Sequence, residues 1–133
     1  MTYHELKEKH EKEFSAVPIF WAFSIEQLKE GLKKFNIIKG EKIVNIGGGG
    51  YMRKSALPAL DTLLASHVKE KQEALKDDNF LIDAISYELG NHEFCITYDP
   101  TDTIEILDLN LKDPRTAKCF IIAKANYMAG VEY

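Results

Sequence analysis

Four consecutive glycines, Gly47 to Gly50, follow directly on the run Lys42-Ile43-Val44-Asn45-Ile46. Few features constrain a fold more tightly. The β-branched run favours a strand, and a strand does not continue as a packed element through residues that have no side chain. Glycine also admits positive φ and lets another group approach the backbone closely. Downstream, Ser55 can cap a helix, and Pro58 falls in its first turn, where a missing N–H costs least. Leu57, Leu60, Leu64 and Val68 then share one face, which predicts a helix from 56 to about 75.

A strand that leads through flexible backbone to a helix start can aim several N–H groups at an anion. Arg53 and Lys54 add charge, and Tyr51 and Trp21 offer faces on which a base can stack. Gly47, Gly48, Gly49, Gly50, Tyr51, Arg53, Lys54 and Trp21 are therefore the candidate ligand-binding residues, for a phosphorylated small molecule such as a nucleotide. The established phosphate motifs do not fit. A Walker A loop begun at Gly48 needs glycine where Arg53 stands, and a dinucleotide fingerprint begun at Gly47 needs a small residue where Met52 stands. The plainer alternative is a tight turn or bulge between strand and helix.

The remaining periodicities predict helices and one more strand. Tyr3, Leu6, His10 and Phe14 share a face over residues 2–14, and the segment 1–15 reads as a peripheral or swapped helix. Ser24 caps a helix over 25–36, with Gln27 as its capping-box partner and Ile25, Leu28, Leu32 and Phe35 inward. Asp77-Asp78-Asn79 offers the cap of another helix that carries Leu81, Ile82, Ile85 and Leu89, and Gly90-Asn91 reads as its stop. Phe94, Ile96 and Tyr98 alternate with Cys95 and Thr97, which predicts a strand over 93–98. Residues 101–112 fit strand or short helix. Asp113-Pro114 opens a final helix with Ala117, Phe120, Ile121, Ala125 and Met128 on its face. The fold class is α+β: a single compact domain over 1–133, with about five helices packed on a small, mostly antiparallel sheet that includes 42–46 and 93–98. Phe20-Trp21-Ala22-Phe23 is expected in the core, with a binding or dimer surface as the alternative.

Charge narrows the function. Against 17 Lys and Arg stand 21 Asp and Glu, a net of −4, which gives no support to general nucleic-acid binding. The division is uneven: residues 1–76 hold 13 basic and 10 acidic residues, residues 77–133 hold 4 and 11. The acidic half, with Asp99, Asp102, Glu105 and Asp108, is the second candidate surface, for a host protein. The split also suits self-association into a homo-oligomer. No apolar run is long enough for a membrane span, and the charged start is not a signal peptide, so a cytoplasmic protein is expected. Cys95 and Cys119 form no CxxC pair and read as reduced core residues.

Glu88, His92 and Glu93 form a candidate polar site. Glu88 and His92 share a helix face only if Gly90-Asn91 does not break it, and no third ligand completes a metal site. No metal and no cofactor are expected. A hydrolase or nucleotide-processing enzyme around these three residues is the remaining alternative. Cys95 as a nucleophile beside His92 is disfavoured, because the sequence sets no cation or helix start beside it to favour a thiolate, and its neighbour Glu93 is acidic.

Three stretches carry a family likeness: Phe20 to Ser24, Ile46 to Lys54, and Tyr87 to Asp99. Over residues 17–125 the chain resembles a family of small uncharacterised proteins from bacteriophages and bacterial genomes. The resemblance implies no catalytic residue. It implies a non-enzymatic accessory or anti-defence role, acting by binding a host protein or by sequestering a nucleotide signal in the host cytoplasm.

Overall fold

The structure is a computed structural model and describes residues 1–131. Its elements run α1 (Tyr3–Ser15), β1 (Phe20–Trp21), α2 (Ile25–Lys34), β2 (Ile43–Gly47), β3 (Gly50–Arg53), a single 3₁₀ turn (Lys54–Ala56), α3 (Leu57–Ala74), α4 (Asp78–Asn91), α5 (Phe94–Thr97), α6 (Thr101–Leu107) and α7 (Pro114–Ala129). The class is α+β, as expected, with seven α-helices among the described residues rather than about five. No helix among them is long and apolar enough to cross a membrane. The chain forms two compact units. Unit 1 is Met1–His10 with everything from Lys69 onward, and unit 2 is Glu11–Val68.

Unit 1 is helical. Its centre is α4, whose Leu81, Ala84, Ile85 and Leu89 are buried with Phe80. Around them pack Tyr3 and Leu6 of α1, Phe94 of α5, Leu107 of α6, and Cys119 and Ala123 of α7. The caps follow the sequence. Asp77 accepts the Phe80 N–H at 2.9 Å and Asp113 accepts the Thr116 N–H at 3.0 Å, which satisfies donors that a helix start otherwise leaves open.

The expected strand over 93–98 is absent. α4 ends at Asn91, on the expected Gly90-Asn91 stop, with His92 as its C-cap, but the left-handed residue is Glu93 rather than Gly90. Glu93 then turns the chain at φ 54° and Tyr98 turns it again at φ 54°, so that Phe94–Thr97 is one helical turn between two left-handed residues. The alternation of Phe94, Ile96 and Tyr98 was not a two-sided strand pattern. Only Phe94 is buried, while Ile96 and Tyr98 are 72% and 63% exposed. A strand also needs a neighbour for its N–H and C=O groups, and every strand pairing in the structure lies within unit 2. The ambiguous 101–112 stretch resolves into α6 and a turn opened by Asp108 at φ 51°.

Unit 2 holds a three-stranded antiparallel sheet in the order β1-β3-β2. Phe20 pairs with Tyr51 and Trp21 with Gly50, while Val44 pairs with Met52 and Asn45 with Tyr51. A register shift between Asn45 and Gly47 breaks the β2–β3 ladder beside the turn. Ser24 caps α2 through the Gln27 N–H at 3.2 Å, and Gln27 returns a bond to the Phe23 N–H at 2.8 Å. α2 ends at Lys34, with Phe35 as C-cap and Asn36 at φ 54°.

Candidate binding surface

The glycine run does not lead from a strand to a helix. It turns β2 back into β3 as a hairpin, and Gly47, Gly48 and Gly49 all have positive φ (93°, 59° and 84°). Tyr51, Met52 and Arg53 are strand residues rather than loop. The Gly47 N–H is taken by Asn45 Oδ1 at 2.8 Å, and Gly49 C=O accepts the Ala22 N–H at 2.8 Å.

The last two glycines are demanded by side chains from elsewhere in the unit. A Cβ on Gly49 would collide with the ring of Phe23, and a Cβ on Gly50 would stand 2.9 Å from Ile46 Cγ1 and 3.0 Å from Trp21 Cζ3. The two motifs read separately in the sequence are thus one object, aromatic rings laid on a glycine hairpin. Strand alternation sorts the aromatic run. Phe20 and Ala22 are buried, whereas Trp21 is 52% and Phe23 77% exposed. The core reading therefore holds for one half of the run and fails for the other.

Phe20 seals the opposite side. It lies against Gly31 of α2, where a Cβ would collide with its ring, and stacks on Tyr51 at 5.8 Å and Phe35 at 5.3 Å between centroids. Between β1 and α2 opens a groove of about 460 Å³, lined by Ile19, Phe20, Trp21, Phe23, Phe35 and Lys34 among others.

The cations have different neighbours from those expected. Arg53 donates from Nε to Glu41 Oε2 at 2.8 Å and from Nη2 to the carbonyls of Phe35 (2.8 Å) and Asn36 (3.3 Å). It clips the chain after α2 to the sheet. The Arg53 bond, a backbone N–H from Ile38 and the Arg53 charge hold the Glu41 carboxyl below the usual range. Lys54 is exposed and shares a shallow depression of about 380 Å³ with Lys42, Ser55 and Glu41.

The second candidate site comes together in part. Glu88 is fully buried, and its Oε1 accepts the Tyr3 hydroxyl at 2.8 Å and Lys7 Nζ at 3.0 Å. Oε2 stands 3.2 Å from His92 Nε2, and His92 Nδ1 lies 3.8 Å from Asp102. The ammonium of Lys7 also lies over the rings of Tyr3 and Tyr87. Burial pushes the Glu88 carboxyl up, but the bonds from Tyr3 and Lys7 and the Lys7 charge outweigh it and hold the group below the ordinary range. Burial and the bond to Glu88 push the Tyr3 hydroxyl strongly upward. Lys71 is pulled below its ordinary value by burial, against the attraction of Glu88. Glu93 is exposed, in the left-handed turn, and no bond joins it to Glu88 or His92 among the described residues. A general base needs a free lone pair within reach of substrate. The Glu88 carboxylate has no exposed surface and is already engaged by three partners, so it fastens α1 to α4. No group of three or more His, Cys, Asp or Glu among the described residues is arranged to hold a metal.

Sequence reasoning placed Trp21 but not Phe23 among the ligand-binding residues, and missed Lys42 and Ser55 beside Lys54, and Tyr3 and Lys7 on Glu88. The period-two alternation in Phe20-Trp21-Ala22-Phe23 was the available signal for the first. The others are joined only by the fold.

No curated protein and no solved structure gives a match to the chain. Residues 2–125 match a family of unknown function (DUF7659), and the chain belongs to that family.

Proposed function

We propose that the protein is a non-enzymatic binding module that captures an apolar segment of a protein partner in the groove between β1 and α2. The observation that supports this is the exposure of Trp21 and Phe23 on a backbone fitted to them at Gly49 and Gly50. Large aromatic side chains left in water on a rigid support are the usual anchors of an interface. As an edge strand, β1 offers unpaired backbone groups beside the groove. The role implied by the family likeness, an accessory protein acting against a host defence factor, is the setting we propose for this capture.

Trp21 is the sole tryptophan, so its emission reports the groove directly. A displayed peptide library selected on the wild type should enrich apolar or aromatic anchors whose binding blue-shifts Trp21. Enrichment should vanish on Trp21→Ala/Phe23→Ala. Peptides held equally by that variant would sink the proposal.

A second reading rests on the depression at Lys42, Lys54 and Ser55, where two lysines and a hydroxyl can receive a phosphate. In this reading the ligand is a phosphorylated small molecule such as a nucleotide. Calorimetric titration with mono-, di- and cyclic nucleotides tests it. Saturable binding lost in Lys54→Ala supports it, and no heat from any of them removes it.

A further inference from the structure

We infer that the segment captured between β1 and α2 is proline-rich and lies there as a polyproline II helix. This rests on the groove reading above and names the chemistry of its partner. The polar groups around the groove decide which kind of backbone can enter it.

An added β-strand needs a row of outward N–H and C=O groups on β1. Ala22 donates its N–H to Gly49 C=O at 2.8 Å, in line with the pairing of Phe20 with Tyr51. Phe20 and Ala22 therefore bond toward β3, and alternation turns Ile19, Trp21 and Phe23 to the free edge. The Ile19 N–H is already taken by Val17 C=O at 2.8 Å, and the Phe23 N–H by Gln27 Oε1 at 2.8 Å. Of these three, Trp21 is left with an N–H to give. A strand laid along β1 would meet two spent donors, and its own carbonyls would lose water there without a replacement bond. A helical ligand bonds its own backbone and would cover the Trp21 N–H and C=O without pairing them.

A polyproline II segment makes no internal hydrogen bonds, so its carbonyls are available, and its prolines bring no N–H in need of an acceptor. The groove supplies matching donors. The Trp21 N–H, the indole Nε1–H of Trp21 and the Nε2 of Gln27 have no partner among the described residues. The walls match as well. Phe20, Trp21, Phe23 and Phe35 line the groove, and aromatic-lined grooves are the surfaces on which proline-rich segments dock. Such a segment is stiff before it binds, so little chain entropy is lost on capture.

Charge sets the direction in which the segment lies. Glu30 and Lys34 stand one turn apart on α2, line the same groove, are exposed, and form no ion pair among the described residues. A Lys or Arg of the ligand meets Glu30, and an Asp or Glu meets Lys34.

The test selects peptides from a random displayed library on the full chain and titrates the enriched sequences by Trp21 emission. Proline should be enriched over its input frequency, with one basic and one acidic residue in a fixed order. Replacing the prolines of an enriched peptide by alanine should weaken its binding about tenfold, as a preorganised ligand becomes flexible. The exchanged variant Glu30→Lys/Lys34→Glu keeps the net charge of the chain and should keep its far-UV circular dichroism. Peptides enriched on it should carry the two charges in the reverse order. Peptides that shift Trp21 without enrichment in proline, or that bind as well after the alanine replacement, overturn the inference and leave the groove reading standing. A charge order that the exchange does not reverse overturns the placement at Glu30 and Lys34. If no peptide shifts Trp21, both readings fall.

Discussion

The two units treat polar and apolar groups in opposite ways. Unit 1 buries a carboxylate at its centre and surrounds it with a hydroxyl, an ammonium and an imidazole. Unit 2 leaves a tryptophan and a phenylalanine in water and fits its backbone beneath them. Each departs from the simple rule of apolar inside and charged outside, and each departure is supported by neighbouring groups. The lesson is that an unusual residue becomes informative through what supports it. Support that engages both oxygens of a fully buried Glu88 points to architecture. Support that stops below Trp21 and Phe23, and leaves their outer faces free, points to recognition.

The comparison can be broken most forcefully at the centre of unit 1. Leu89 is fully buried on α4. Leu89→Ala should cost about 3 kcal/mol or more, the range for a deleted core leucine, read as a lowered urea midpoint. A loss below about 1 kcal/mol would show that α4 is not the packing centre.

Glu88→Ala should cost about 2 kcal/mol, since it strands the Tyr3 hydroxyl in the interior and removes a charged hydrogen-bond partner. Its pH dependence sharpens the point. The folded Glu88 carboxyl titrates below its ordinary value. Its contribution is therefore present above the unfolded pKa of about 4.3 and is lost as pH falls through the lower folded value. The stability gap between wild type and Glu88→Gln should be widest near neutral pH and close as the solution is acidified. A gap independent of pH would show that the charge of Glu88 stabilises nothing.

In unit 2 the effects should be smaller. Gly49→Ala meets both positive φ and the Phe23 ring and should cost about 1–2 kcal/mol. The double variant Gly49→Ala/Phe23→Ala should recover part of that loss, because the ring that collides is gone. No recovery would separate the glycine from the aromatic residue. Trp21→Ala should change stability least, by under about 1 kcal/mol, and act on binding instead. A large stability loss from Trp21→Ala would turn the proposed recognition surface into core.

Much of this was legible before the fold. The caps at Ser24, within Asp77-Asp78-Asn79 and at Asp113, the strand expected over 42–46 and the helices expected from 56 to about 75 and after Asp113-Pro114 rest on local rules that tertiary contacts did not overrule. The turn at 94–97 was not legible. Its alternating pattern is shared by a strand and by a chain bent at both ends, and only the positive φ of Glu93 and Tyr98 distinguishes them. Arg53 was named correctly as an unusual cation, yet its partners are a glutamate and two carbonyls from the segment after α2. No spacing rule joins residues 35, 36, 41 and 53. The Glu88–His92 pair was visible in the i, i+4 spacing, while Tyr3 and Lys7 lie more than eighty residues away along the chain.

The ring of Phe23 over Gly49 and that of Trp21 over Gly50 also tie together positions that selection would otherwise treat as independent. Across the family, residue size at 21 and 23 should vary inversely with size at 49 and 50. A lineage that shrank the aromatic residues would be free to fill the hairpin with ordinary side chains where φ permits. A lineage that kept them would keep the glycines.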